Sequence, residues 1–507
     1  MSIPFRHTRI ATAMAGFALA MGAGQALGAA FALAEQNVMG LERVAEAHHV
    51  LGAAFALAEQ NVMGLGNAFA GAGATAEDAN TLWFNPAGLG RLSLTQFEAA
   101  VHLVQPSAKF RDNGSQAALG QPLGGNGGDA GSIAAVPNLY GMTAITDRLR
   151  FGIGINVPFG LKTEYDNGWA GRYQALKSEI KTVNVNPAIG WRATDRFWLG
   201  AGANYQHLKA TLTNNVNYSA ALAQGYGQLA AGGQIPASAV NSLIAATSGL
   251  DALVTNTADD GSWGWNVGAM LSFNGDANND PGASRIGFAY RSKIKYNLAG
   301  TVSFDTPAVP VLGGPLAALN PAVQGVSAAI NQTRLFNGGI KIDVELPDTA
   351  SLSYYHKLSD QWEFLGDVTW TGWSSIKELA IVRTNGSTLG ILPENFKNTW
   401  RYSAGLNYNP NERIVLRAGV AFDQSPVNDT DRSARLPDND RTWLAAGIRY
   451  KYTRAINFDI AGAYIFVKNP TIENSGFPSS VAGNGLLKGD YKSSVWVLSA
   501  QMNYRFR

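Results

Sequence analysis

The sequence predicts an all-β protein, a 14-stranded antiparallel transmembrane β-barrel. Three observations carry that prediction. An export signal at the N-terminus is followed by no continuous apolar run of the ~18 residues that a spanning helix needs. From about residue 92 onward, apolar and polar residues alternate with period two, the mark of half-buried strands. Short turns alternate strictly with long connections, which places every long loop at one rim of a closed sheet.

The composition suits that solvent. Charged residues are 15% of the 507, against about 25% in ordinary globular proteins. With 57 Gly, 12 Trp and 17 Tyr, the chain is too apolar and aromatic to be disordered. Lys+Arg number 39 and Asp+Glu 37, a net charge of +2 that offers no footprint for nucleic acid. The absence of cysteine removes disulfide frameworks, thiolate zinc sites and thiol nucleophiles together.

At the start, Arg6, His7 and Arg9 precede an apolar stretch from Ile10 to Gly24. Ala26-Leu27-Gly28 then fits the spacing that a signal peptidase reads, so residues 1–28 are expected to be a signal peptide and Ala29 the first mature residue. Leu27 to Leu41 reads LGAAFALAEQNVMGL, and Leu51 to Leu65 repeats it letter for letter at an offset of 24. A solenoid needs at least three stacked repeats, so residues 29–52 read as a duplicated, surplus segment. His48-His49 in the spacer has no further ligand at useful spacing, and neither metal nor other cofactor is expected. The stretch from Gly64 to Leu89 is rich in Gly and Ala and lacks strand alternation. Its Gly71-Ala72-Gly73 follows no strand and precedes no Lys-Ser/Thr, which removes a phosphate-loop reading.

The strands show their faces most clearly at the end. Trp496, Leu498, Ala500, Met502, Tyr504 and Phe506 share one face; Ser499, Gln501, Asn503 and Arg505 take the other. In lipid the apolar face turns outward and the polar face lines the lumen. Short turns are signalled at 146–148, 194–196, 274–284, 359–360, 409–411 and 452–454. Between them lie long connections at about 105–131, 162–178, 213–260, 297–336, 374–398, 423–440 and 467–491. Six short and seven long connections make fourteen strands, an even count as in outer-membrane barrels.

Several motifs then fall in a fixed order: Ala53 to Glu59 (also Ala29 to Glu35), Gly64 to Gly71, Asn85-Pro86-Ala87, Phe159-Gly160-Leu161 before Thr163-Glu164-Tyr165, Tyr290-Arg291-Ser292, and Leu346-Pro347. Most specific are Phe422-Asp423-Gln424-Ser425-Pro426-Val427 and Pro437-Asp438-Asn439-Asp440-Arg441-Thr442-Trp443-Leu444. Together they resemble the outer-membrane long-chain fatty acid transporters of the FadL type, from about residue 53 to the C-terminus. The duplicated N-terminus is unlike that family. The resemblance implies that residues 53–91 form a hatch plugging the lumen of a barrel built from residues 92–507. It also implies a break in the third strand, with Asn85, Pro86 and Ala87 beside it and ligand leaving sideways into the bilayer. Pro158, Phe159 and Gly160 mark the place, because proline cannot donate to a ladder and strand glycine often marks a bulge.

The family offers lumen basic residues to a ligand carboxylate. By alternation Lys209, Lys377 and Arg401 qualify, as do Arg417 and Arg449, with lumen salt bridges to Asp367, Glu363 or Asp459 as the competing reading. Loops 213–260 and 297–336 gather apolar residues, and Leu250, Leu253, Val254, Leu312 and Leu316 are expected to line a capture groove, unless the loops pack on one another as a helical lid. The expected function is passive uptake of hydrophobic molecules, foremost long-chain fatty acids, across a Gram-negative outer membrane. A channel for aromatic hydrocarbons or a hydrophilic porin is the alternative. The six scattered histidines form no HExxH pair and there is no GxSxG elbow, so no enzyme is expected. Expected partners are the hydrophobic ligand, outer-membrane lipid and lipopolysaccharide, with the protein a monomer and its long loops open to a phage-receptor role.

Overall fold

Period-two alternation with β-branched and aromatic residues on one face builds strands that need lipid on that side. A computed structural model describes residues 54–273, 283–476 and 478–506. The expected signal peptide, the duplicated segment and most of the turn at 274–284 lie outside the described residues. Twenty strands occur among the described residues. The first ten are β1 Gln96–Asp112, β2 Ala134–Ala144, β3 Leu149–Asn156, β4 Gly160–Glu164, β5 Lys177–Arg192, β6 Phe197–Asn217, β7 Asp251–Ser272, β8 Ser284–Arg291, β9 Ile294–Asp305 and β10 Gly338–Leu346. The others are β11 Thr349–Lys357, β12 Trp362–Thr371, β13 Glu378–Arg383, β14 Thr388–Pro393, β15 Thr399–Asn411, β16 Ile414–Asp423, β17 Arg441–Lys451, β18 Ile456–Val467, β19 Thr471–Asn474 and β20 Leu487–Arg505. Six staves are interrupted. β3 continues as β4, β8 as β9, β10 as β11, β12 as β13, β14 as β15 and β18 as β19, which leaves fourteen staves. All pair antiparallel, and β20 returns to β1 from Gln96↔Arg505 to Asp112↔Gly489, so the ring is closed.

Near the short turns the faces divide as lipid requires. Ile460, Leu498 and Trp265 are about half exposed on the outside, whereas Asn186, Asn266 and Asn503 are buried inside. Towards the long loops the pattern inverts. On β6 the inward residues are Leu208 and Leu212 while His207, Lys209 and Thr211 face out; on β7, Val254 and Ala258 face in and Thr255, Thr257 and Asp259 face out. Strands therefore run well beyond the sequence expectation, with β1 reaching Asp112, β6 Asn217 and β7 starting at Asp251. Beyond the lipid, the hydrogen-bonded ladder continues although its outer face no longer needs to be apolar. The turn expected at 409–411 falls at 412–413, because β15 runs through Asn411.

The two longest loops fold into helices. Tyr218–Ala231 and Val240–Ala246 belong to one and Asn320–Thr333 to the other. They close on each other around Tyr218, Leu222, Tyr226, Leu243, Val323 and Ile330. The Tyr218 hydroxyl joins them through Ser327 Oγ at 2.8 Å and donates to Asn331 Oδ1 at 3.0 Å.

Candidate functional site

Residues 54–92 are almost wholly buried, and lumen-facing side chains hold them from many sides. Val62 N–H donates to Gln501 Oε1 (2.8 Å), Asn67 Nδ2 to Asn407 Oδ1 (3.0 Å), Gly73 N–H to Ser353 Oγ (3.1 Å) and Asn138 Nδ2 to the Glu59 carbonyl (2.8 Å). Near the short-turn rim an ionic cluster adds charge. Asp459 of β18 accepts from Arg417 Nη1 (2.9 Å) and Arg449 Nε (2.8 Å). Arg449 also binds Asp78 and lies 3.3 Å from Glu77, and Arg505 Nη2 reaches Asp78 Oδ1 at 3.1 Å. Burial alone would raise the Asp78 carboxyl, yet Arg449 and Arg505 hold it below its ordinary 3.8. Arg417 and Arg449 are thus engaged in lumen ion pairs with Asp459, the competing reading for these two residues.

Asn85-Pro86-Ala87 needs room that only glycine leaves. Asn85 Nδ2 donates to the carbonyls of Gly73 (2.8 Å) and Ala269 (3.1 Å), and its Oδ1 caps Ala87 N–H at 3.1 Å. A Cβ at Gly268 would stand 2.0 Å from Asn85 Oδ1, and one at Gly200 would stand 2.3 Å from Pro86 C and Ala87 N. Gly200→Ala or Gly268→Ala is therefore expected to unseat this turn at a cost of about 1–3 kcal/mol. Thermal unfolding in detergent checks it, with Gly366→Ala as control, since a Cβ there meets nothing nearer than 3.8 Å.

The wall breaks at residues 157–159. β3 pairs with β2 as far as Leu139↔Ile155, and β4 resumes on β5 alone at Gly160↔Lys181. The segment beside the break is Phe55–Leu57, where Leu57 N–H donates to the Pro158 carbonyl and Gly160 N–H to the Phe55 carbonyl, both at 2.8 Å. Asn85–Ala87 lie against β5 to β8 instead, where the glycines are. Pro86, Pro158 and Phe159 nonetheless line one lumen cavity of about 200 Å³.

That cavity is walled by Phe69, Trp83, Trp373 and Trp443 and has two guanidinium groups, Arg291 and Arg401, and two carboxyl groups, Asp367 and Asp423, at its surface. Arg401 donates to the Ala68 carbonyl at 2.7 Å, and its guanidinium carbon lies 5.1 Å from the Trp443 ring centroid. Arg291 binds Asn204 and the Trp83 carbonyl and stacks 3.5 Å over the Trp83 ring. Neither forms an ion pair among the described residues. Alternation does not single out Arg291, although it sits in the Tyr290-Arg291-Ser292 motif. Lys209 and Lys377 are both exposed and line neither cavity described here. Lys209 faces outward because the polar and apolar faces of β6 swap above the lipid, which alternation alone reads the wrong way.

A second cavity of about 670 Å³ opens among the long loops, lined by Tyr173, Asn256, Phe304, Arg334, Ile381 and Leu392. Of the residues expected in a capture groove, only Val254 lines it. Leu312 is buried between the two helical loops, with Leu250 and Leu316 half-buried against the same cluster. Leu253 lies on β7 and faces outward, 37% exposed. Leu250, Leu312 and Leu316 thus hold the loops together as a helical lid, and Leu253 takes no part in it. The two cavities share one apolar cluster: Val254, Ile381, Phe304 and Leu392 on the upper one, and Phe159, Ile294, Leu346 and Trp373 on the lower.

A family model described as outer membrane protein transport protein (OMPP1/FadL/TodX) matches residues 44–506. The 47 kDa outer membrane protein of Pasteurella multocida is 30% identical over 495 residues, 96% of this chain and 97% of that protein. The long-chain fatty acid transport protein of Escherichia coli K12 is 27% identical over 87% of this chain and 92% of its own. The crystal structure of a FadL homologue from Pseudomonas aeruginosa covers 90% of this chain and 100% of its own, with a TM-score of 0.74 at 24% identity.

Proposed function

The chain belongs to the outer membrane protein transport protein family (OMPP1/FadL/TodX), and we propose that it takes up long-chain fatty acids passively across the Gram-negative outer membrane. One observation supports this above others: the lumen turns apolar above the lipid belt, and a single apolar cluster lines both the loop cavity and the cavity at the wall break. A hydrophilic pore gains nothing from such a lining. An acyl chain gains about 0.8 kcal/mol for each methylene moved from water into it. The acyl chain enters between the loops, passes to the lower cavity and leaves sideways at 157–159, so that the barrel need not release it into the aqueous periplasm. Residues 54–92 act as the hatch. Arg291, which has no carboxylate beside it on the cavity wall, offers charge to the ligand headgroup, and Arg401, which makes no ion pair but shares the wall with Asp367 and Asp423, offers less. The reading involves no bond-making step, and the protein is a transporter and not an enzyme.

Uptake of a labelled long-chain fatty acid and of toluene, in cells with and without the protein, tests this. Fatty acid uptake should rise and toluene uptake should not; a rise for toluene alone would transfer the assignment to aromatic hydrocarbons, and no rise for either would end the transport reading. Gly160→Trp tests the exit. A Cβ there already meets Leu57 Cδ1 at 3.3 Å, so the indole should crowd the break and slow uptake far more than it lowers barrel stability. Unchanged uptake would remove the lateral route.

A further inference from the structure

We propose that the outer wall on the long-loop side of the outward aromatic girdle, which includes Tyr205, Trp263, Tyr464 and Trp496, binds the phosphate groups of lipopolysaccharide through opposed lysine pairs. The first pair is Lys181 and Lys209, directly across from each other on β5 and β6 and facing away from the lumen. The second is Lys109 and Lys492, directly across on β1 and β20 and likewise outward. Like charges facing each other across a ladder are destabilising, so two such pairs in one barrel call for a compensating anion.

The protein supplies little of it. Lys181 shares the Glu179 carboxylate with Lys177, at 3.2 and 3.3 Å. Asp259 is the other cross-strand neighbour of Lys209, but its carboxylate lies 3.3 Å from His207 Nε2. Lys109 is 3.8 Å from Asp129, whose oxygens already accept from Ser107 Oγ and Ala108 N–H at 2.7 and 2.8 Å. Lys209 and Lys492 make no ion pair among the described residues.

One lysine of each pair lies the same distance along its strand from an outward aromatic residue. Lys209 is four residues above Tyr205, which packs on the outward Trp263 at 5.1 Å, and Lys492 is four residues above the outward Trp496. Lys468, exposed, is four residues beyond the outward Tyr464. At about 3.4 Å per residue and a tilt near 40° this is about 10 Å above the girdle. There the outer leaflet presents the phosphorylated sugars of lipopolysaccharide, and a lysine ammonium serves a phosphate as a point charge. The assignment stands whatever the lumen carries.

Binding of bisphosphorylated lipopolysaccharide to the purified full-length protein in detergent, followed by native mass spectrometry, tests it. Lys181→Ala/Lys209→Ala and Lys109→Ala/Lys492→Ala should each lower affinity about 30-fold, with Lys→Arg pairs retaining it. Enzymatic dephosphorylation of the lipid should weaken binding to the parent protein and change nothing further in the fourfold Ala variant. Heat-modifiable gel migration shows that each variant is folded. Equal affinity for phosphorylated and dephosphorylated lipid, or unchanged binding by the Ala variants, overturns the proposal. Lysine-dependent binding of phosphatidylglycerol at equal affinity would overturn the choice of lipopolysaccharide.

Discussion

Deletion of residues 54–89 should convert a closed barrel into an open pore. The wall does not need this segment for its ladder, because β20 closes directly on β1 along the whole of that strand. The lumen-facing side chains that would be uncovered near the short turns are polar: Asn407, Gln501, Asn503 and Ser353, all buried at present. Arg417, Arg449 and Asp459 would keep one another as partners. Water can therefore fill the emptied space. In planar bilayers the intact protein should pass little current, and the deletion variant should conduct roughly tenfold more or better, as open-lumen porins do. Conductance unchanged from the intact level would mean that residues 54–89 are not the barrier and that the hatch reading is wrong.

The wall was readable because a strand in lipid must alternate, and its apolar face has nowhere else to go. Trp496 to Tyr504 announce their outward face, and the parity of turns gives the stave count without any contact being known. The reading fails where lipid ends. Alternation puts Lys209 in the lumen on the rule that polar faces inward, but Leu208 and Leu212 hold the lumen face there. Leu253 reads as a loop residue because polar threonines hide the continuing ladder of β7. Leu312 and Leu250 carry the apolar signal of a groove and of a helix-helix core equally well, and only packing separates the two. The pairing of Phe55–Leu57 with Pro158–Gly160 is backbone to backbone across about a hundred residues and leaves no side-chain pattern to read. Wall glycines such as Gly200 and Gly268 had a signal, since a strand glycine often marks close backbone approach, but nothing in the sequence named Asn85–Ala87 as what approaches.

Arg449→Ala should be among the most costly single substitutions in the protein. Arg449 joins the hatch to the wall, with Asp78 and Glu77 on one side and Asp459 on the other. The cluster is balanced: Arg417, Arg449 and Arg505 face Glu77, Asp78 and Asp459. Removing one guanidinium leaves buried carboxylates short of a partner, which costs about 3–5 kcal/mol. Asp78 is fully buried, so salt should screen the effect little. The double variant Arg449→Ala/Asp78→Ala restores charge balance and should recover a large part of the loss, although the hatch stays untied. Because the Asp78 carboxyl is held below its ordinary 3.8, its contribution is present above that value. It is lost only as pH falls through the still lower folded value, so the parent hatch should stay seated at neutral and mildly acid pH. Two readouts separate the roles. Urea unfolding should show the stability loss and its partial rescue, while protease cleavage within residues 54–92 should rise in both variants. A single variant no less stable than the parent, or a hatch as protease-resistant as before, would show that this cluster does not hold the hatch in place.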